Sequence, residues 1–367
     1  MKAPLTTSGP GLPLDFARRL IDWQRCHGRS ALPWQHTHDP YRVWLSEVML
    51  QQTQVSTVLH YYPRFLARFP DVQRLAAATP DEVMALWSGL GYYSRARNLH
   101  RCAQVVVQEH GGVFPARAEL LQALPGIGAS TAAAIAAFCH GERVSIADGN
   151  VRRVLARLLA FDGDLARPAS QRALWDLAQA LLPEQPTHAD MTAHTQGLMD
   201  LGATVCTRTR PQCERCPVAG LCQARASGTI DRFPVKSRTL KRRHESWWLL
   251  LLQHRDAHGV TRWWLQRRPA PGIWAGLFCP PVFESETALR AGLPPALVDR
   301  LAPQAAVAHS LTHRELRLHP CVLACDGPGT PELAAWSDPA GQWVDAAALA
   351  EHGLPAPVRL LLAPPDA

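Results

Sequence analysis

Leu124-Pro125-Gly126-Ile127-Gly128 lies between one apolar-periodic stretch that ends near residue 123 and another that begins near residue 129. Two glycines one residue apart let the backbone turn sharply and approach a neighbour closely, because neither carries a Cβ. The helix expected after them starts with N–H groups that no turn of its own satisfies, and such groups bind phosphate oxygens. The same run equally describes a tight corner between two helices with no ligand. Outward from it the pattern is helical. Apolar residues recur at three- and four-residue spacing over 16–23, 43–50, 83–86, 99–107, 131–138, 151–159 and 174–182. Thr79-Pro80-Asp81-Glu82 predicts a helix start, with an early proline and acids in the first turn. Little before residue 226 reads as strand.

The 367 residues suffice for two or three domains of about 150 residues. An apolar fraction of 47% can fill a core and excludes global disorder. The net charge is +7, and its make-up is lopsided. Of 38 basic side chains only Lys2, Lys236 and Lys241 are lysines, and the rest are arginines. Arginine's planar fork suits phosphate, whereas lysine is the residue of amine chemistry. A polyanion partner is expected, with few places for a Schiff base. Ten cysteines in so long a chain do not make a disulfide scaffold. Residues 1–13 are polar and proline-rich, so no secretory leader is expected. The longest uncharged stretch, 120–141, is broken by Pro125, Gly126 and Gly128 and does not predict a membrane span. The expectation is a soluble cytoplasmic protein.

The texture changes near residue 226. Residues 226–244 are polar and basic, with Pro234 among them, and read as a linker. Short apolar runs at 247–252, 262–266 and 277–283, cut by Gly-Pro turns, predict an α+β domain over 245–365. No internal period of repeats is present.

Cys206, Cys213, Cys216 and Cys222 follow the pattern C-x6-C-x2-C-x5-C, and the other six cysteines are scattered. Four thiolates this close can wrap one metal centre. Zinc prefers paired C-x2-C knuckles, and only one close pair exists here. Thiolate-only ligation at uneven spacing also fits a 4Fe-4S cluster. Arg208, Arg210 and Arg215 lie among the cysteines, where the loop can present them to phosphate.

The hairpin run, the following Ser130-Thr131-Ala132, the triplet Asp148-Gly149-Asn150 and the cysteine pattern, in that order, resemble the helix–hairpin–helix DNA glycosylase superfamily. Leu32-Pro33-Trp34, the run from Trp44 to Thr53 and the run from Gly89 to Leu99 resemble its adenine DNA glycosylase (MutY) branch. The likeness is close over 14–225 and looser beyond. It implies a mainly α catalytic half, with a six-helix part at about 32–143 and an iron–sulfur part at about 14–31 and 144–225. A Nudix-like α+β domain follows over 245–365. It also implies a monomeric DNA repair hydrolase that removes adenine opposite 8-oxoguanine or guanine in double-stranded DNA and leaves an abasic site. One 4Fe-4S cluster on the four cysteines, no membrane and a place in the cytoplasm with the DNA complete the expectation.

Breaking an N-glycosidic bond needs a proton for the departing base and negative charge near the sugar cation, and two carboxyl groups in different environments meet both needs. Glu47 lies on an apolar helix beside Trp44 and Val48, where desolvation raises its pKa. Asp148 stands at the head of the 151–159 helix, whose N–H groups favour its ionised form. On residues alone the plainer readings come first, a solvated or salt-bridged helix acid for Glu47 and a plain N-cap for Asp148. The resemblance has Glu47 protonate adenine and assist the water, and Asp148 stabilise the oxocarbenium ion. Bifunctional relatives resembling endonuclease III carry a nucleophilic lysine just after the hairpin. This chain has Ser130 there, so a monofunctional enzyme is expected.

A base inside a duplex must be unstacked before it reacts, at a cost of a few kcal/mol. The resemblance gives wedge or stacking work to Gln51 and Tyr92 and sets Gly126 and Gly128 against the DNA backbone. It groups Gln35, Asn150 and Gln196 around the flipped adenine, with Ser130 at the pocket's edge. Residue chemistry supports only that amides pair with base edges. Arg95 and Arg97 suit phosphate contacts or a solvated helix face equally. The family reads 8-oxoguanine through a Phe-Ser-His loop, whose counterpart here is Leu311-Thr312-His313. The hydroxyl and the histidine are kept and the aromatic wedge is lost. After Gly276 only Glu284 and Glu286 precede that loop's region, without the acidic metal-binding helix of Nudix hydrolases, so no nucleotide hydrolysis is expected.

Overall fold

Thr79 opens a helix as its sequence predicts. Its hydroxyl accepts the Glu82 N–H at 3.2 Å, the Glu82 carboxylate accepts the Thr79 N–H at 2.9 Å, and Pro80 takes the first helical position. The computed structural model describes residues 12–13, 15–237, 242–256, 258–325 and 341–363. Lys2, Lys241, most of the proline-rich start and part of the expected linker lie outside the described residues. The helices before residue 227 are α1 (Phe16–His27), α2 (Pro40–Leu50), α3 (Val55–Arg68), α4 (Val72–Ala77), α5 (Pro80–Trp87), α6 (Ser94–His110), α7 (Ala118–Leu121), α8 (Ala129–His140), α9 (Gly149–Leu158), α10 (Pro168–Ala180), α11 (His188–Asp200) and α12 (Gln223–Ala226). Every stretch with helical spacing falls on a helix, with 159 and 181–182 just past the ends of α9 and α10, and no strand occurs there among the described residues. Helix α11 escaped the spacing argument because it buries His194, Thr195 and Asp200 beside Met191, Ala193 and Leu198, which erases a clean apolar stripe. Its signal was the reciprocal cap formed by Thr187 and Asp190.

Two compact units make up the chain, residues 1–63 with 102–239, and residues 64–101 with 240–367. In the first, Phe16 and Leu20 of α1 pack with Ala133 and Ala134 of α8, Val151 and Leu155 of α9, and Leu198 of α11. Eight of the twelve α8 residues are buried, and four consecutive ones are threonine or alanine. Small side chains let neighbouring helices close on α8 from several sides, so the hairpin ahead of it sits on a rigid support. Truncating Leu20, which has no accessible surface, would cost about 2–5 kcal/mol.

Among the described residues the second unit holds an eight-stranded sheet. Its centre is β1 (Arg243–Arg255), which runs antiparallel to β2 (Thr261–Arg267). Short strands β3 (Phe278–Cys279), β4 (Val282–Phe283) and β5 (Ala302–Pro303) sit on β2, β1 and the long β7 respectively. Strand β6 (Val307–Ser310) forms a hairpin with β7 (Arg314–Cys325), and β7 lies parallel to β1 from Arg243↔Arg314 to His254↔Cys325. Strand β8 (Gln342–Asp345) pairs with β2. Leu250, Leu252 and Leu323 on one sheet face are covered by Leu289 of α13 (Glu286–Ala291) and Leu297 of α14 (Pro295–Val298). The last described helix is α15 (Ala356–Leu362). Helix α13 carries one acid, Glu286, in six residues. Within this unit Phe65, Phe69 and Trp87 pack edge to face, and the Ser88 and Tyr93 hydroxyls donate to the Leu354 carbonyl at 2.7 and 3.0 Å. Among the described residues no helix is long and apolar enough to cross a membrane.

Candidate active site

Asp39 sets the rotation of α2. Its side chain accepts the Tyr41 N–H at 2.9 Å ahead of Pro40, which orients the helix from its first turn. Trp44 and Val48 turn into the core, and Glu47 between them lines a cavity of about 560 Å³ together with Trp34, Gln35, His38, Ser46 and Gln196. Glu47 keeps a partial opening to that cavity while lying deep in the fold. Desolvation first, and the charge of Asp148 second, raise its pKa to about 8. A carboxyl group so placed holds its proton at neutral pH and can donate it.

Asp148 is the N-cap of α9, with Oδ1 accepting the Val151 N–H at 2.7 Å. The preceding residue is tied to the hairpin helix, because Ala147 N–H donates to the Ser130 hydroxyl at 3.2 Å. Gly126 adopts φ +76°, a conformation that favours glycine, and Gly128 is the exposed N-cap of α8. Space is open where a Gly128 Cβ would stand, so the α8 N-terminus is accessible to an anion. Gln51 follows α2 and donates to the Thr131 hydroxyl at 3.3 Å. The unit thus brings together α2, the hairpin and the head of α9.

The three amides differ in what they offer. Gln35 accepts the Leu32 N–H at 3.1 Å and donates to the Arg29 carbonyl at 2.9 Å, so both ends brace its own loop. Asn150 has its carbonyl oxygen on Arg153 Nη2 at 3.0 Å, which leaves its NH2 as the available end. Gln196 donates to buried Asp200 at 2.8 Å. Asp200 and its partner Arg29 are 171 residues apart and nothing in the sequence pairs them. His38 and His188 also went unread. Their rings lie 4.5 Å apart at the cavity wall, and both hold the Phe138 carbonyl, at 2.7 and 2.9 Å.

Cys206, Cys213, Cys216 and Cys222 line one small void and form no disulfide. Among the described residues no group of three or more Cys, His, Asp or Glu could hold a single metal ion. Four cysteine side chains around one void, with no histidine lining it, fit an iron–sulfur group. Helix α9 clamps this loop from inside. Arg157 donates to Cys206 Sγ at 3.4 Å and to the Thr207 carbonyl at 2.7 Å, and Arg153 reaches the carbonyls of Gly202 and Cys206 at 2.7 and 2.9 Å. A cationic donor facing a thiolate is a favourable partner for such a group. Arg208, Arg210 and Arg215 are exposed around it.

In the second unit, Leu311, Thr312 and His313 form the tip of the β6–β7 hairpin, closed by the Leu311 N–H on the Arg314 carbonyl at 2.8 Å. They line a cavity of about 490 Å³ with Tyr92, Trp274 and His309. Tyr92 has φ +48°, follows a positive-φ glycine and is 42% exposed. The Thr312 hydroxyl donates to the Tyr92 hydroxyl at 3.0 Å, joining two residues that sequence treated separately. Arg95 serves structure. It is buried against the Trp87 and Tyr92 rings and donates to the carbonyls of Leu90 and Gly91. Arg97 donates to the Ala275 carbonyl at 2.9 Å.

Comparison with known proteins agrees with this anatomy. Residues 45–180 match the HhH-GPD superfamily of base excision DNA repair proteins, 206–222 the iron–sulfur binding domain of endonuclease III, and 248–364 the NUDIX domain. The adenine DNA glycosylase of Buchnera aphidicola subsp. Acyrthosiphon pisum is 34% identical over 273 residues, covering 74% of this chain and 75% of that one. The Homo sapiens adenine DNA glycosylase is 44% identical over 238 residues, 60% of this chain and 42% of that one. A thermostable thymine-DNA glycosylase structure superposes with a TM-score of 0.50 at 26% identity, over 58% of this chain and 95% of its own. With a relative matched at that identity over three quarters of its length, the chain belongs to the adenine DNA glycosylase family, DNA repair enzymes that hydrolyse N-glycosidic bonds.

Proposed function

We propose that the protein removes adenine mispaired with 8-oxoguanine or guanine in duplex DNA as a monofunctional hydrolase, leaving an abasic site. The observation that carries this is Glu47, an acid whose pKa is raised to about 8 on the wall of a cavity large enough to admit a base, with Asp148 the charge it senses. Glu47 gives its proton to a ring nitrogen of adenine as the bond to the sugar breaks and its electrons leave with the base. The Asp148 carboxylate offsets the positive charge on the sugar, and the Glu47 carboxylate just formed takes a proton from the water that adds. Ser130 starts the hairpin helix where a lyase needs its amine, and α9 offers Arg152 and Arg153 rather than lysine.

Gly126 and Gly128 hold a DNA phosphate, Gln51 in the first unit and Tyr92 in the second each do wedge or stacking work, and Asn150, Gln196 and Ser130 surround the flipped adenine. Gln35 shapes the pocket through its loop. Leu311, Thr312 and His313 read the opposite base, and the domain over 245–365, beyond the 226–244 linker, recognises without hydrolysing. The 14–225 region carries the chemistry. Cys206, Cys213, Cys216 and Cys222 hold one 4Fe-4S cluster, which when bound keeps the loop in shape for DNA contact. The enzyme works as a monomer with the DNA in the cytoplasm.

Glu47→Gln tests the reading. Single-turnover adenine release should fall by about 10²–10⁴ while binding to the mispaired duplex persists. Unchanged release ends it. Robust borohydride trapping on DNA removes the monofunctional assignment, and iron well below about four per chain removes the cluster assignment.

A further inference from the structure

Asp200 is the last residue of α11 and has no accessible surface. A carboxylate taken out of water has to find charge and donors nearby. Asp200 finds Arg29, whose Nε donates to Oδ1 at 2.7 Å and whose backbone N–H donates to Oδ2 at 2.9 Å. Its third donor is Gln196 Nε2, at 2.8 Å from Oδ1. Arg29 and Gln196 both line the cavity that contains Glu47. An ion-paired carboxylate only accepts hydrogen bonds, so the amide of Gln196 must turn its NH2 end toward Asp200. The carbonyl oxygen is then the end left for a ligand. A 6-aminopurine offers that oxygen a donor, whereas a 6-oxopurine meets it with a lone pair.

We propose that Asp200, held by Arg29, is a positioning residue that locks the Gln196 amide and makes the cavity select a 6-amino over a 6-oxo purine. This rests on the reading of the cavity as the base pocket and adds the group that sets the polarity of recognition. A site built around one hydrogen-bond polarity rejects the opposite one strongly, because a buried polar group is left facing its like.

The test compares single-turnover release of adenine and of hypoxanthine from otherwise identical duplexes. The ratio of the two rates does not depend on how much of the protein is folded. In Asp200→Asn the new amide both donates and accepts, Gln196 is free to turn, and the adenine-to-hypoxanthine ratio should fall at least about tenfold. Asp200→Glu stays an acceptor only and should keep a ratio near wild type. The double variant R29M/D200L removes both charges together, which buried pairs tolerate better than losing one partner, and should match the Asn variant. Gln196→Met separates the two layers. If it lowers the ratio while Asp200→Asn and R29M/D200L do not, the positioning role is overturned and the base pocket stands. If Gln196→Met leaves the ratio unchanged, the underlying reading of the cavity fails. A Glu variant that drops as far as the Asn variant also overturns the role, because orientation by an acceptor is then not what matters.

Discussion

The cavity around Glu47 and the hairpin tip at 311–313 place polar groups in opposite settings. Around Glu47 burial shields the carboxyl from most of the solvent, and the cost appears as a pKa raised to about 8. At the hairpin tip His313 is exposed, and Thr312 meets Tyr92, itself 42% exposed, through one hydrogen bond. Desolvation amplifies every charge in the first setting, while water competes for every contact in the second. A bond-breaking site needs the first kind of environment, and a surface that compares bases can use the second.

The largest effect expected from sharpening this contrast is at Asp148. Asn at that position still caps α9, so the fold survives, but the charge proposed to face the sugar is gone. Single-turnover adenine release by Asp148→Asn should fall by about 10²–10³. A loss under tenfold would mean the enclosed setting amplifies little. Next is pH. In the proposed reaction the acid form of Glu47 is the donor, so release should decline as pH rises through about 8, reaching roughly a tenth of its plateau one unit higher. A profile flat to pH 9 breaks the assignment.

The same shift acts on stability with a definite sign. The folded pKa of Glu47 lies above its ordinary value of 4.5, so its contribution is most favourable below that value and is lost as pH rises toward about 8. Glu47→Gln should therefore melt with wild type near pH 4.5 and above it at pH 8.5, by about 2–4 °C for each kcal/mol relieved. Equal melting temperatures at both pH values would show that burial of this carboxyl is not strained. The smallest effect belongs to the open face. Thr312→Val removes one exposed hydrogen bond, and the preference for 8-oxoguanine over guanine opposite adenine should shrink by less than about tenfold. A larger collapse would mean that Thr312 and Tyr92 act as an enclosed pair after all.

The two regions also differ in how much of them could be read beforehand. Glu47, Asp148, the two hairpin glycines and the four cysteines each stand in a short local pattern, and the structure assembles them on adjoining elements of one unit. Helix α11 was missed because buried polar side chains broke its apolar period, although Thr187 and Asp190 marked its start. The boundary between units falls inside α3 and α6, where no change in composition marks it. Arg95 and Arg97 could not be assigned until Trp87, Tyr92 and the Ala275 carbonyl were seen around them.

The chain by itself determined what depends on near neighbours. Helical periods, the Thr79 cap, the glycine turn and the cysteine spacing are set by a few consecutive residues, whose torsions and donors act over one or two turns. Its scarcity of lysine likewise argued against amine chemistry at the hairpin without any fold. Tertiary structure alone decided which end of the Gln196 amide is engaged and which acid is buried. Both depend on partners brought together by loop closure, Arg29 with Asp200 and Thr312 with Tyr92. No local pattern encodes those pairs, because the free energy that holds them is released only when distant segments pack.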